Sequence, residues 1–307
     1  MKNVFSIVSI LVAVMLFSAC TTIQYFSFER LQPAEINFPE QVRSVGVVNA
    51  VPSTDGGHGR VAAEAFAQEI ASADYFSQVV ICDSALQSLD GIQADSLIQA
   101  LGVDMLFAIE QVEVELKKGT YYIPELMAKV PVVDGIVTPL VRSYVAGRET
   151  PLFSISKQDT ICWELRQDLT EEVIIKEASE YAAKLPMEYL LPYWKEVEHY
   201  YFDGGNVEMR DAGIFVREGN WDEAGALWQT LYDTKKGKVK MRAAYNLALY
   251  HELQDDFEKA KEYLDTASSL ATEGSLEEQL IVLYQLKLQE LSKDNHRLKV
   301  QMKRFEP

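Results

Sequence analysis

The residues best suited to nucleophilic, redox or metal chemistry are three cysteines and four histidines. His58, His199, His251 and His296 lie far apart, with no pair at i, i+4 or zinc-knuckle spacing, so no metal site is expected. Cys82 and Cys162 sit in the apolar, strand-like runs "VVICD" and "TICWEL". They could pair in an oxidising compartment or remain buried free thiols. Gly56, Gly57 and Gly59 fall between an expected strand and an expected helix, where backbone amides can hold a phosphate, and Arg60 could neutralise an anion there. No Gly-Lys-Ser/Thr follows, and the pattern is not GxGxxG, so this stretch reads as a flexible turn. Asp159 and Glu164 are close in sequence but fall on opposite faces of the strand they would occupy, so they form no acid–base pair. No nucleophile motif and no cofactor signature accompanies them. The expectation is a non-catalytic protein, with an enzyme of unknown reaction in the first half as the lesser alternative.

Cys20 is different in kind. It follows Ser18 and Ala19 at the end of an apolar run from Val4 to Phe17, with Lys2 in front. Spanning a bilayer takes about 20 apolar residues, and this run is shorter. A basic start, a short apolar core and a small-residue exit describe a secretory signal over residues 1–19. The stretch resembles the lipobox of bacterial lipoproteins, departing from it in having Phe17 where Leu is usual. The resemblance implies cleavage before Cys20 and acylation of its thiol. Each buried methylene contributes about 0.8 kcal/mol, so several chains make a lasting anchor. Surface-exported lipoproteins of Bacteroidota carry acids just after the cysteine, and inner-membrane retention in enterobacteria uses an Asp there. Here Thr21, Thr22, Ile23 and Gln24 follow, and the first acid is Glu29. The expected location is therefore the outer membrane, lipid-anchored, facing the periplasm.

At 307 residues and 48% hydrophobic, the chain is large enough for two cored domains. Its formal charge is −17, and loss of residues 1–19 with Lys2 takes it to −18. That charge repels nucleic acid and anionic lipid, so no nucleic-acid partner is expected.

Hydropathy patterning divides the chain into a tether over 20–40, an α/β domain over 41–168, a helical connector over 169–203, a repeat region over 204–291 and a basic tail over 292–307. In the α/β domain, "RSVGVVNAV", "FSQVVIC" and "VDMLFAIEQVEVEL" read as strands. Between them come a helix with Ala62, Phe66, Ile70 and Ala73 on one face, and a helix from Asp90 with Ala94, Leu97, Ile98 and Leu101, stopped by Gly102. This order predicts a mixed sheet with a parallel βαβ core. It is similar to the small α/β domain of several envelope lipoproteins, including curli-secretion-type pore subunits. Residues 117–141 carry Pro124, Pro131 and Pro139 and read as the least regular stretch. They could be a packed surface loop, a partner-binding flap or a membrane-inserting hairpin, and the prolines argue against the hairpin. "VRSYVAG", "TPLFSIS" and "DTICWELRQ" then read as antiparallel strands. In the connector, Leu190, Trp194, Val197 and Tyr201 fall on one helical stripe.

The last third repeats itself. "VREGNWDEAGALWQTL" and "HELQDDFEKAKEYLDTA" align at an offset of 36 residues, matching Trp221 with Phe257, Ala224 with Ala260, Trp228 with Leu264 and Leu231 with Ala267. This resembles the tetratricopeptide repeat, in which small residues let paired helices approach closely. The expected fold class is thus an α/β N-terminal domain plus an all-α tetratricopeptide-like C-terminal domain. Such repeats hold peptides in a concave groove. The carboxylate clamp of one subtype is not built, because Met209 and Gly213 occupy its first-repeat positions and only Asn246 matches in the second. A groove lined by Arg242, Tyr245, Asn246 and Glu252 is the expected partner-binding site.

Taken together, the lipobox, "LQPAEINFPEQVRSVGVV", "DTICWEL", "LPYWKEVEHYY" and "GNWDEAGALW" resemble a family of Bacteroidota lipoproteins that joins an α/β half to tetratricopeptide-like helices. The resemblance brings no known activity. It implies a membrane-anchored scaffold that binds a protein or peptide through its repeats; the alternative is a subunit of an envelope secretion or pore-type assembly.

Overall fold

The computed structural model describes residues 23–52, 57–82, 86–166 and 169–303. The expected signal peptide, Cys20, Gly56 and Asp168 lie outside these residues. The chain forms two compact units, one of 32–193 with the chain from 298 onward, the other of 194–297 with the chain up to residue 31.

The first described element, β1 (Ile23–Gln32), pairs with β8 (Tyr193–Phe202) in a two-stranded ribbon. Between them run β2 (Ser44–Asn49), α1 (His58–Ser72), β3 (Gln78–Cys82), α2 (Gly91–Leu101), β4 (Met105–Ile123), β5 (Ala128–Val145), β6 (Phe153–Ser156), β7 (Asp159–Glu164), α3 (Glu171–Lys184) and the single turn α4 (Met187–Leu190). The six-stranded sheet has the order β3-β2-β4-β5-β6, with β7 also on β5. β2 is parallel to β3 and β4, while β4, β5, β6 and β7 are antiparallel neighbours. The parallel core and mixed sheet expected from sequence are present.

Burial explains why the first half of β4 is apolar throughout. Met105, Phe107 and Ile109 face a core with Val45 and Val47, closed by Phe66 and Ile70 of α1 and Ala178 and Ala182 of α3. Leu106 and Ala108 face the opposite side with Val48, under Ala94 and Ile98 of α2. A strand covered on both faces has no polar side to show. Helix α2 begins with a capping box between Asp90 and Gln93 and ends on Gly102 at φ 65°. Helix α3 is capped by Thr170, which accepts from Val173 N–H.

The sequence reading needs correction in three places. Residues 117–141 are not an irregular loop: β4 and β5 form one hairpin paired from Met105↔Val145 to Ile123↔Ala128. Its prolines are tolerated because of where their missing N–H groups point. Pro131 accepts from Leu165 N–H, so its peptide edge faces away from β4. Pro139 shares that parity and falls between the stretch of β5 paired with β7 (Val132–Val137) and the stretch paired with β6 (Leu140–Ser143). No ladder bond to β4 is lost at either position. The connector is helical only to Leu190, and the next element is β8, where inward Val197, His199 and Tyr201 alternate with exposed Glu196, Glu198 and Tyr200. Cys82 and Cys162 are both free; Cys82 is half-buried and Cys162 exposed, on strands separated in the sheet. The basic tail continues the last helix. The last helix runs unbroken to Met302, and within the α/β unit Gln301 accepts from Ala34 N–H and donates to Ala34 C=O, both at 2.9 Å.

The other unit follows the ribbon with α5 (Val207–Arg217), α6 (Trp221–Thr234), α7 (Gly237–Leu253), α8 (Phe257–Leu270) and α9 (Leu276–Met302). Helices α6 and α8 begin 36 residues apart, at Trp221 and Phe257, and Ala224, Trp228, Leu231, Ala260, Leu264 and Ala267 are fully buried. Small residues at the helix contacts let α5, α6, α7 and α8 pack against one another in chain order.

One glycine tests the α/β packing. A Cβ on Gly135 of β5 would lie 2.6 Å from the Trp163 ring of β7, whose Nε1 donates to Glu177 of α3 at 2.7 Å. Gly135→Ala is expected to cost about 1–3 kcal/mol by displacing that ring. A urea midpoint unchanged from wild type would contradict this account.

Candidate functional site

The four residues expected to line a partner groove do come together, but what they hold is the chain's own β1–β8 ribbon. All four lie on α7. Asn246 is fully buried; it accepts from Phe202 N–H at 2.8 Å and donates to Phe202 C=O at 2.7 Å. A side-chain amide thereby does for the end of β8 what a neighbouring strand would do. Tyr245 meets the Phe202 ring edge-on at 5.0 Å and the Tyr284 ring at a tilt at 5.2 Å. Arg242 donates to Gly204 C=O at 2.9 Å and to Glu277 at 3.0 Å, with its guanidinium over the Phe202 ring. Lys238 and Arg242, bonded to Glu277, hold its carboxyl down to about 2 despite partial burial.

Glu252, near the end of α7, has no solvent exposure and is the centre of a charged cluster. Its Oε1 accepts from Arg30 of β1 at 2.7 Å and lies 3.2 Å from Nε2 of His199 on β8. Its Oε2 accepts from the Tyr284 hydroxyl of α9 at 2.6 Å. Arg30 also reaches Asp255 at 2.6 Å. Burial pushes the Glu252 carboxyl upward, and His199, Tyr284 and Arg30 more than reverse this, leaving it below the ordinary carboxylate value. Above the charges, Phe26 and Phe28 of β1 stack against His199, and Phe26 meets Trp221 of α6 at 4.8 Å. Arg30, His199 and Tyr284 escaped the sequence reading. The available signal was Arg30, the lone basic residue among positions 21–41.

A free surface does exist in this unit, on the other side of α9. Ile281, Tyr284, Leu288 and Leu291 of that helix are buried, whereas Val282, Leu283 and Leu286 are 46%, 63% and 57% exposed. Beside them α8 and α9 frame an open groove of about 600 Å³, lined by Phe257, Lys261, Val282, Leu286 and Gln289 among others.

Elsewhere the arrangement offers little chemistry. His58 Nδ1 lies 2.8 Å from Ser179 Oγ, but that hydroxyl donates its proton to Ile175 C=O at 2.6 Å and is fully buried, so it is not poised as a nucleophile. Gly59 serves packing: a Cβ there would come within 2.6 Å of Val51. Among the described residues no three His, Cys, Asp or Glu side chains cluster as metal ligands, and no helix is long and apolar enough to cross a membrane.

Replacing Glu252 tests the cluster. Glu252→Gln is expected to destabilise the chain by about 1.5–3 kcal/mol, because Arg30, His199 and Tyr284 lose a buried carboxylate and Arg30 keeps only Asp255. The folded-state pKa of Glu252 is depressed, so its contribution is complete above about pH 4.5 and is lost as pH falls through the lower folded value. Urea unfolding of wild type and variant should therefore converge as the pH drops below that point; a constant difference would refute the assignment.

Residues 39–202 match a family described as a domain of unknown function (DUF8603), and residues 210–290 match a second, also a domain of unknown function (DUF6340). No curated protein matches the sequence. Among solved structures, the PelC dodecamer from Paraburkholderia phytofirmans is 14% identical, covering 54% of this chain and 97% of its own at a TM-score of 0.31. A minor lipoprotein from Acinetobacter baumannii is 4% identical, with coverages of 48% and 91% and a TM-score of 0.24. Rare lipoprotein B from Shewanella oneidensis is 12% identical, with coverages of 62% and 95% and a TM-score of 0.18. Likeness at this level carries no inference about what this chain does.

Proposed function

The chain belongs to the family of the domain of unknown function DUF8603, and on that footing we propose that it is a lipid-anchored, non-catalytic scaffold of the bacterial envelope. Cys20 carries the anchor, in an outer membrane of the Bacteroidota type, with the folded chain on the periplasmic side. The motif ending at Ser18-Ala19-Cys20 supports the anchor, and the lack of acids at Thr21–Gln24 supports the side. The helical unit is a short tetratricopeptide-like array, as the 36-residue spacing of α6 and α8 suggests.

Its partner is an amphipathic helix of another protein, received by the groove between α8 and α9. One observation carries this reading. Helix α9 buries one apolar stripe against the array and exposes a second, Val282, Leu283 and Leu286, at helical spacing beside an open groove. Helices α5, α6 and α7 each pack against the helix that follows, and the second stripe of α9 has the form of a face that takes one more. The inner face of the array, where tetratricopeptide arrays usually hold peptides, is filled by the β1–β8 ribbon. The pore-type alternative gains nothing from the β4–β5 hairpin. Glu115 and Lys117 lie on one face of β4 and Lys118 on the other, so neither face is the apolar band a membrane strand needs.

A photo-crosslinking residue at position 286 in intact cells should give one discrete protein adduct, and Val282→Glu should remove it. The same residue placed at exposed Tyr25 should not give that adduct. Cys20→Ser should release the chain from the membrane fraction. No adduct at 286, or an adduct indifferent to Val282→Glu, would defeat the groove assignment.

A further inference from the structure

Strand β4 is the longest strand of the chain, and most of one of its edges is bare. β2 pairs with it only from Met105 to Ile109, while β5 follows the other edge to Ile123. Among the described residues no strand lies against the outer edge from Gln111 onward. The hairpin closes through the turn at Pro124–Leu126 and Met127. The bare strand edge therefore runs from Gln111 to Ile123, and Gly119 lies within it.

Gly119 has no use inside the chain. It sits in the interior of a strand with no register shift beside it and no positive φ. A Cβ there would find its nearest neighbour, a Val132 methyl, at 3.6 Å, which is ordinary contact. A strand-interior glycine weakens the strand, and where no bulge or bend requires it, it marks the close approach of another backbone. The side chains around it are unpartnered too: Leu116 is 47% exposed, and Tyr121 and Tyr122 are each 57% exposed.

We propose that the edge of β4 is a self-association surface, on which a second copy of this chain pairs antiparallel about a two-fold axis at Gly119. An axis perpendicular to the sheet keeps each face on its own side, so it must pass through a residue, and every residue meets one of its own parity. Centring on Gly119 sets Leu116 opposite Tyr122 of the second copy, and Lys117 opposite Tyr121, each twice. Both are favourable cross-strand pairs. Centring on 120, 121 or 122 pairs seven, five or three strand residues of each copy, against nine at Gly119. Centring on 113, 114 or 115 opposes glutamates, and centring on 117 or 118 opposes lysines. Centring on 116 pairs Glu115 with Lys117 but drives Ile123 into the place that Asn49 of the second copy holds beside its own Ile109. At Gly119 the turn residues 124–127 lie beyond the nine paired residues, opposite 114–111 and clear of that strand, with Glu125 in the turn opposite Glu113. The contact is small, so membrane confinement would favour it.

The test uses the full chain in its membrane, with Cys82→Ser and Cys162→Ser as background. Gly119→Cys should give a disulfide-linked dimer under mild oxidation, since residues facing each other across the axis have Cα atoms about 4.5–5.5 Å apart, within disulfide reach. Glu115→Cys alone should not, because its copies lie far apart, but Glu115→Cys with Ile123→Cys should. Tyr121→Lys, which opposes two lysines, should lower the Gly119→Cys dimer about tenfold, and adding Lys117→Glu should restore it. The proposal is overturned if Gly119→Cys links no more than the background chain or joins a different protein. It is equally overturned if Glu115→Cys alone links as well, or if Tyr121→Lys has no effect.

Discussion

A buried carboxylate with three partners governs the helical unit. Glu252 draws Arg30 from the first described strand, His199 from β8 and Tyr284 from α9 to one point without solvent exposure. An ion in such a place is tolerable only when every lone pair is answered, so the positions of β1, β8 and α9 are tied together. Asn246 and Arg242 complete the grip by taking the backbone at Phe202 and Gly204. The ribbon thus becomes a structural part of the array. A helical stack of this kind offers an inner face, and here the chain fills it with its own strands.

That occupancy changes where a partner can be received. A polar inner wall of Arg, Tyr, Asn and Glu resembles a ligand surface when read as a list of residue types. In the folded chain each member is matched to a fixed internal partner, and none is left to recognise anything else. The surface with unmet needs is the outer stripe of α9, where apolar side chains stand exposed at helical spacing. The scaffold proposed here therefore has its contact placed on the apolar groove and not on the polar wall.

The α/β unit shows the same logic in a sheet. Helices on both faces explain the apolar start of β4, and the loss of that cover beyond Gln111 explains its change of character. Past that point β4 relies on β5 alone for its ladder. β5 in turn carries prolines only where a missing N–H faces away from β4. The hairpin therefore extends well beyond the core with a paired edge and a bare one.

Much of this was legible from local chemistry. The βαβ order, the capping box at Asp90, the stop at Gly102 and the 36-residue match of α6 with α8 follow from periodicity and end signals that neighbouring residues carry among themselves. What tertiary structure decided were the places where the partner is remote. The spacing of Leu190, Trp194, Val197 and Tyr201 satisfies a helix, yet β8 is a strand because β1 lies beside it. Pro131 and Pro139 argue against a strand until the directions of their blocked nitrogens are known. Arg242, Tyr245, Asn246 and Glu252 were correctly grouped, but only the fold could show that the group was already taken. Residue types and spacing determine what a segment is able to do, and the segment that folds against it determines which of those abilities is used.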